Sequence, residues 1–208
     1  MATTTSHAVG PGVVSRRTLA AGAAWSVPVI MAASAAPAMA ASGCSGATLP
    51  GTATGFGADS GNALLADGTF ASQTVAADNS FDYLTVSNFG FTIPAGSTII
   101  SVKIEVRWYA ADAQFGGTGP DDGARFQIQA WNGASQEGNA FTLDRSGAAS
   151  WPTASTIFTT SYDLTGAMPT LAEVTAATFG ARIGFRADVG DDNYVANVDF
   201  VRITVCWR

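Results

Sequence analysis

The feature that most constrains the fold is the stretch ISVKIEVRWY at residues 100–109. Its apolar residues share one parity, and they are Ile100, Val102, Ile104, Val106 and Trp108. The polar or amphipathic residues between them are Ser101, Lys103, Glu105, Arg107 and Tyr109. A period of two is typical of a β-strand with one face in a core and the other in water. We therefore predict a central strand whose apolar set, including Ile100, faces a hydrophobic core.

A second strand is predicted immediately before this one. Residues 89–93 read FGFTI and lead into Pro94-Ala95-Gly96. Proline fixes φ and glycine permits positive φ, so the chain can reverse direction here. We predict that residues 89–93 pair with residues 100–109 as the central hairpin of an all-β domain.

Similar strand signals recur along the rest of the chain. Further predicted strands cover residues 47–49, 70–75, 81–86, 125–131, 140–143, 156–164, 181–189 and 194–208. The pair Asn132-Gly133 predicts a tight turn, and the Gly-rich runs at 116–123 and 190–193 predict loops. This succession of short strands and turns is typical of an all-β fold.

One short helix interrupts the strand pattern. Thr170 and Glu173 have the spacing of a capping box, in which each residue hydrogen-bonds the other's backbone. The spacing predicts a helix over residues 171–177. Together these elements predict a two-sheet antiparallel β-sandwich of jelly-roll type with one short helix.

The N-terminal segment has the pattern of an export signal. Polar residues 1–15 are followed by Arg16-Arg17-Thr18-Leu19, an uncharged Ala-rich run and Ala38-Met39-Ala40. Small residues at the first and third positions before a cut fit signal peptidase, so we predict cleavage after Ala40. The paired arginines resemble the twin-arginine export signal. Residues 1–40 are then a removed signal peptide, and residues 41–208 form a single β-sandwich domain.

Two alternatives to this twin-arginine signal remain open. The segment is also compatible with an ordinary secretory signal that happens to contain two arginines. Residues 18–41 carry no charge and are long enough to span a membrane. However, the run is mostly alanine, interrupted by glycine and proline, and is therefore only weakly hydrophobic. We expect no membrane insertion after cleavage and a secreted or cell-surface location.

Cys44 and Cys206 are the only cysteines of the sequence. In an exported protein, two cysteines are most simply explained by a disulfide. This disulfide would place residues 41–49 beside residues 200–208. Alternatively, the sequence before Cys44 resembles a lipoprotein box, in which that cysteine is acylated. Acylation would leave Cys206 as a free extracellular thiol, so we prefer the disulfide.

Composition excludes several kinds of chemistry. His7 is the only histidine, and it lies in the predicted signal. A mature chain without histidine lacks Ser-His-Asp catalysis and histidine-ligated zinc. The formal net charge is −6 and Lys103 is the only lysine, which argues against nucleic acid as a partner. A hydrolase with a carboxylate pair stays a distant third interpretation, and we expect no enzymatic activity.

Exposed aromatic residues suggest carbohydrate binding. Trp131 and Tyr109 fall on the polar parity of their strands, and Trp151 lies in a predicted loop. Flat rings on a sheet face or loop can stack on sugar rings, and these three residues are the predicted ligand-binding set. Trp108 and Trp207 are expected in the core instead, because a sandwich buries most of its aromatic residues.

Loop aspartates are candidate calcium ligands. They are Asp59, Asp67, Asp78, Asp121, Asp122, Asp188, Asp191 and Asp192. Carboxylates and loop carbonyls are the ligands that calcium takes, but none of these residues has EF-hand spacing. Aspartate is also favoured in turns for its hydrogen bonding alone, which is the alternative explanation.

Three segments carry a resemblance to known proteins. Residues 62–71 (NALLADGTFA), 89–99 (FGFTIPAGSTI) and 198–205 (VDFVRITV) resemble β-sandwich domains of phage tail-associated and bacterial surface proteins. The first segment also resembles an early loop of galactose-binding-like jelly rolls, in which an aspartate can hold a structural calcium ion. The resemblance implies Asp67 and, as a second choice, Asp199 as calcium ligands. Its motifs are strand and turn patterns, so it implies fold more than function.

These observations predict an exported, non-catalytic β-sandwich that serves as a surface, adhesive or structural module. The alternative is a carbohydrate-binding module that uses exposed Trp and Tyr side chains. The expected partner is a surface glycan or another surface protein. No cofactor is required, although a structural calcium ion fits the resemblance.

Overall fold

The computed structural model describes residues 42–111, 124–144, 157–189 and 193–208. Strands in these ranges form two five-stranded sheets. The strands are β1 (Gly43–Cys44), β2 (Thr52–Thr54), β3 (Ala71–Val75), β4 (Asp82–Ser87), β5 (Ile99–Ala111), β6 (Arg125–Trp131), β7 (Gln136–Asp144), β8 (Phe158–Asp163), β9 (Gly180–Arg186) and β10 (Tyr194–Trp207). The loop predicted at 116–123 and most of the turn predicted at 190–193 lie outside the described residues.

The strand order is that of a jelly roll. Sheet A has the order β1-β10-β5-β8, with β3 pairing the other half of β10 beside β1. Sheet B has the order β2-β4-β9-β6-β7. Without the short strands β1 and β2, the two sheets read β3-β10-β5-β8 and β4-β9-β6-β7, and all their strand pairs are antiparallel. The predicted fold class is therefore confirmed.

Aromatic packing joins the two sheets through the core. Trp108 of β5 stacks on Phe126 of β6 with ring centroids 4.1 Å apart. Phe185 of β9 lies 5.2 Å from Phe126, and all three side chains are fully buried. Burial of such a side chain contributes about 2 to 3 kcal/mol each, which makes this cluster a major part of the core. The prediction that Trp108 lies in the core is confirmed.

The predicted central hairpin is wrong. Residues 89–93 form no strand, and β5 pairs instead with β10 and β8. Phe89 and Phe91 are buried and stack with ring centroids 5.7 Å apart. Two buried aromatics at a spacing of two imitate strand alternation, although side-chain packing rather than backbone pairing holds the segment. The turn itself is present, since the Ser97 N–H donates to the Pro94 carbonyl over 3.3 Å.

A register shift at the start of β5 reverses the facing of Ile100. Ser101 pairs with Cys206, and the following residue of β10, Trp207, pairs with Ile99. Ile100 is therefore skipped in the ladder. Ile99 is therefore 5% exposed and Ile100 is 44% exposed. The prediction that Ile100 faces the core is wrong, because a β-bulge inserts one extra residue and changes the parity.

A second bulge lies in the middle of β10. Val198 pairs with Trp108 and Phe200 pairs with Arg107, so Asp199 is the extra residue. Up to Val198 the core-facing side chains occupy even-numbered positions, and from Val201 onward they occupy odd-numbered positions. Asp199 is consequently turned away from the regular ladder and is fully buried.

The disulfide closes the two ends of the domain. Cys44 lies opposite Cys206 in the β1–β10 pair, and the two residues form a disulfide. Thr48 forms an isolated bridge with Ile203, which is what remains of the strand predicted at 47–49. The prediction that residues 41–49 lie beside residues 200–208 is confirmed for Gly43 to Thr48, while residue 41 lies outside the described residues. Because its sulfur is bonded to Cys206, Cys44 is not the free thiol that acylation requires.

Two helical segments accompany the strands in the part of the chain that the structure describes. Helix α1 (Leu171–Thr175) begins with the predicted capping box of Thr170 and Glu173, which confirms that helix. A 3₁₀ helix at Gly57–Leu64 was not predicted. It crosses from β2 to β3 and buries Ala63, while Phe56 just before it contacts the core ring of Phe185 at 5.9 Å.

Candidate functional site

The outer face of sheet B carries polar and aromatic side chains in register. On the core side, Leu84, Ile183 and Ile128 lie opposite one another on β4, β9 and β6. The alternate positions therefore face away from the core. One outer row contains Thr85, Arg182 and Gln129, and the next contains Tyr83, Gly184 and Gln127.

Arg182 lies between two aromatic rings on this face. Its guanidinium carbon is 3.9 Å from the centre of the Tyr83 ring and 4.4 Å from the Trp131 ring. Tyr83 on β4 lies one outer row to one side of Arg182, and Trp131 on β6 lies one outer row to the other side. The guanidinium therefore lies between the two rings, on the diagonal that joins them. Both distances are well inside the range of a favourable cation–π contact. We call Tyr83, Gln127, Gln129, Trp131 and Arg182 the Arg182 cluster.

Glycine in the central strand creates the space for this arrangement. A Cβ at Gly184 would lie 2.7 Å from Cε1 of Tyr83 and 2.9 Å from Cδ1 of Phe81. These two rings stack with centroids 5.5 Å apart. They can therefore lie over β9 only because position 184 has no side chain.

Two hydrogen bonds order the polar side of the cluster. The Tyr83 hydroxyl donates to Oε1 of Gln127 over 3.1 Å, and Nε2 of Gln129 donates to the same oxygen over 2.7 Å. Oε1 of Gln127 is thus already used as an acceptor within the cluster. Its Nε2 donor has no acceptor among the residues that the structure describes, so it is available to a ligand.

The charge of Arg182 has no counterion in the described part of the chain. The neighbouring arginines on this face are paired: Arg125 lies 2.7 Å from Asp144, and Arg186 lies 2.6 Å from Asp188. Arg182 makes neither an ion pair nor a side-chain hydrogen bond with any described residue. Among the described residues, this face therefore carries one positive charge without a counterion, in a protein of formal net charge −6.

The structure separates the aromatic residues that the sequence grouped together. Trp131 is half-buried in the Arg182 cluster. Tyr109 lies on the outer face of sheet A, where its ring contacts Phe70 edge-on at 4.9 Å. The two residues are thus on opposite faces of the sandwich and cannot form one platform. Trp151 lies outside the described residues, and ligand binding by this set stays a prediction.

The residues predicted to bind calcium are neighbours. The Gly68 N–H donates to Oδ1 of Asp199 over 2.9 Å, and Asp67 is exposed and accepts from the Thr69 N–H over 2.8 Å. Arg107 already supplies a cation to the Asp199 carboxylate. In the described ranges, no three His, Cys, Asp or Glu side chains are grouped as a metal site. Calcium binding stays a prediction, which a chelator-dependent melting temperature would test.

The carboxylates of Glu137 and Glu173 interact electrostatically. Burial raises the pKa of Glu137, the charge of Glu173 adds to the rise, and a hydrogen bond from Asn132 opposes it. Hydrogen bonds from the backbone and side chain of Thr170 lower the pKa of Glu173. Opposite shifts can mark an acid and a base. Here, however, Glu173 closes the capping box, and Glu137 accepts from Nδ2 of Asn132 over 2.6 Å.

Sequence reasoning missed most of the Arg182 cluster. Alternation placed Arg182, Gln127 and Gln129 on the polar parity of their strands, but this does not say which strands are neighbours. The usable signal was glycine at position 184 beside Arg182 on that parity, since a buried glycine in a strand often marks a close approach. Strand order and register were needed to bring Tyr83 and Trp131 to the same cation.

The disulfide between Cys44 and Cys206 is typical of proteins from oxidising compartments. In the described ranges, no helix combines the length and the apolar character needed to cross a bilayer. The chain matches no protein-family model, and no curated protein shows significant sequence similarity to it. Functional inference therefore depends on the geometry of the site.

Proposed function

We propose that the protein is an exported, non-catalytic β-sandwich that acts as a surface or adhesive module. The N-terminal pattern of residues 1–40 and the disulfide-closed fold support export. The observation that carries the proposal is the Arg182 cluster, which presents an ordered set of aromatic and polar groups on the outside of sheet B.

Carbohydrate binding is the specific activity that this cluster supports best. Sugar sites combine aromatic surfaces with a few well-placed hydrogen-bonding groups. Here Trp131 supplies an aromatic surface, Tyr83 holds Arg182 in place, and Gln127 and Arg182 supply donors that no described residue uses. A surface glycan is therefore the proposed partner, and a surface protein is the alternative.

A polysaccharide pull-down tests this proposal. Wild-type protein is compared with Tyr83→Ala and Trp131→Ala, and with Phe158→Ala as a control for the loss of an exposed aromatic ring on β8 of the other sheet. We expect both cluster variants to lose at least about tenfold in affinity, corresponding to about 1.4 kcal/mol, while the control binds normally. Equal binding by all three variants would place the site elsewhere. Failure of the wild type to retain any polysaccharide would contradict carbohydrate binding.

A further inference from the structure

We propose that the Arg182 cluster recognises a carboxylate, so that its ligand is a polysaccharide containing uronic acid residues. This inference rests on the proposed carbohydrate-binding function and adds the charge of the ligand to it. The recognition element is the Arg182 guanidinium, and the aromatic rings are positioning residues that hold it.

The first argument comes from the N–H groups of Arg182 that donate no hydrogen bond to any described residue. A guanidinium carries five N–H donors in a fixed plane. The other arginines located in strands each have a carboxylate partner, and they are Arg107, Arg125, Arg186 and Arg202. Arg182 has no acceptor within the described part of the chain. A half-buried cation that has lost part of its hydration and gained no acceptor is suited to binding an anion.

The second argument comes from the direction in which those donors are available. Tyr83 and Trp131 approach the guanidinium from the two neighbouring strands, with centroids 3.9 and 4.4 Å away. With two rings this close to the guanidinium carbon, a further partner reaches the cation through the N–H groups that the rings leave uncovered. Its edge presents parallel N–H groups, which match the two oxygens of a carboxylate. Two ring contacts also limit the motion of the side chain, which reduces the entropy lost on binding.

The third argument concerns the groups beside the cation. Gln129 lies directly opposite Arg182 on β6, and Gln127 is one row further along. Gln129 is buried and orders Gln127 through its own hydrogen bond, so the unused Nε2 of Gln127 is the amide group that suits a hydroxyl flanking the carboxylate of a uronic acid. A neutral sugar would leave the charge of Arg182 uncompensated on binding, which is costly when water is excluded. The charge and the neighbouring amide together favour an acidic sugar.

Binding to polygalacturonate and to its methyl ester tests the inference, because the two polymers differ only in the capping of the carboxylate. The full-length protein is titrated with each polymer, and alginate with its ester provides a second uronate. We expect at least about tenfold tighter binding to each free acid than to its ester.

Substitutions of Arg182 identify the residue responsible. Arg182→Gln is expected to abolish the preference for the free acid, and Arg182→Lys to keep part of it, because lysine retains the charge without the planar fork. Arg125→Gln is the matched control, since Arg125 lies on the same face but is paired with Asp144. Circular dichroism and melting temperature establish that each variant is folded.

The outcomes separate the inference from the function on which it rests. Equal affinity of wild type for acid and ester, or for neutral xylan, would overturn the carboxylate assignment and leave carbohydrate binding intact. Loss of the acid preference in Arg125→Gln but not in Arg182→Gln would also overturn it. Equally tight binding of dextran sulfate through Arg182 would show general anion binding and overturn the uronate assignment. Absence of binding to every polysaccharide, charged or neutral, would reject both proposals.

Discussion

Nη1 of Arg107 lies 2.6 Å from Oδ2 of Asp199, and the two side chains differ sharply in exposure, at 36% and 0%. Asp199 is the extra residue of the bulge in β10, and its other oxygen accepts from the Gly68 N–H. One carboxylate thus connects the bulge, the neighbouring strand β5 and the loop before β3. The asymmetry in exposure has a measurable consequence for stability.

Removing Arg107 is expected to destabilise the fold more than neutralising Asp199. Arg107→Gln leaves a fully buried carboxylate without its cation. Breaking a fully buried pair in this way costs about 3 to 5 kcal/mol, and solvent screening of the partly exposed arginine makes the cost smaller here. Asp199→Asn leaves a cation that water can reach and an amide oxygen that can still accept from Gly68. Urea unfolding measures both changes, and an equal or larger loss for Asp199→Asn would contradict the interpretation.

The network around Glu105 predicts a loss of stability in acid. Burial alone would raise the pKa of Glu105, but the hydrogen bond and charge of Arg202, with smaller effects of Lys103 and Ser161, hold it below the ordinary value of 4.5. A depressed pKa stabilises the folded state at neutral pH, and the contribution is lost as pH falls through the folded pKa.

Glu105→Gln is therefore expected to be less stable than wild type at pH 7 by up to about 1 kcal/mol, since its partners are partly exposed. The difference should disappear in acid below the folded pKa of Glu105. Thermal melts over this pH range measure the effect, with the exposed Asp59→Asn as control. A difference between wild type and Glu105→Gln that does not change with pH would refute the electrostatic explanation.

The effect of Asp82 on stability is expected to have the opposite pH dependence. Burial raises its pKa above the ordinary value of 3.8, and the charge of Asp78 adds to the rise. A raised pKa means that ionisation of Asp82 destabilises the folded state, so the cost appears as pH rises above 3.8 and is absent in acid. Asp82→Asn should melt at a higher temperature than wild type at pH 7, and the two should converge at lower pH. A lower melting temperature for the variant at pH 7 would mean that Asp82 is stabilising.

Gly184→Ala tests the close approach of the rings to β9. The added Cβ would lie 2.7 Å from Cε1 of Tyr83, so the ring must move and its contact with Arg182 must weaken. Because the clash involves side chains rather than backbone, we expect a cost near the lower end of overpacking, about 1 kcal/mol, by urea unfolding. Gly61→Ala is the control, since its Cβ would meet no atom within 4 Å. Equal stability of Gly184→Ala and wild type would show that the rings adapt freely.

Alternation of residue type predicted several of the strands, and a local pairing pattern predicted the helix. The strand at Arg125–Trp131 has the predicted bounds, and the capping box at Thr170 is present. The disulfide followed from two cysteines and a signal-like N-terminus. These features depend on local chemistry or on a simple count, which a sequence shows directly.

The remaining features depend on which strands are neighbours and in what register. One bulge turned Ile100 outward and a second placed Asp199 in the interior, and neither bulge has a marker in the local pattern. Phe89 and Phe91 alternate like strand residues although they pack as a stacked pair. The Arg182 cluster requires side chains from β4, β6 and β9, which are far apart in sequence.

The Cys44–Cys206 bond also determines how the domain responds to tension. A pulling force applied to the chain on the outer sides of the two cysteines first opens the few backbone contacts of Gly43, Trp207 and Arg208, and then reaches the sulfur–sulfur bond before the rest of the sheets. The two cysteines are separated by 162 positions, and that length of chain adds no extension while the bond is intact. A covalent bond withstands far larger forces than a β-ladder. The sandwich is therefore shielded from mechanical unfolding, and only a reductant releases its full contour length.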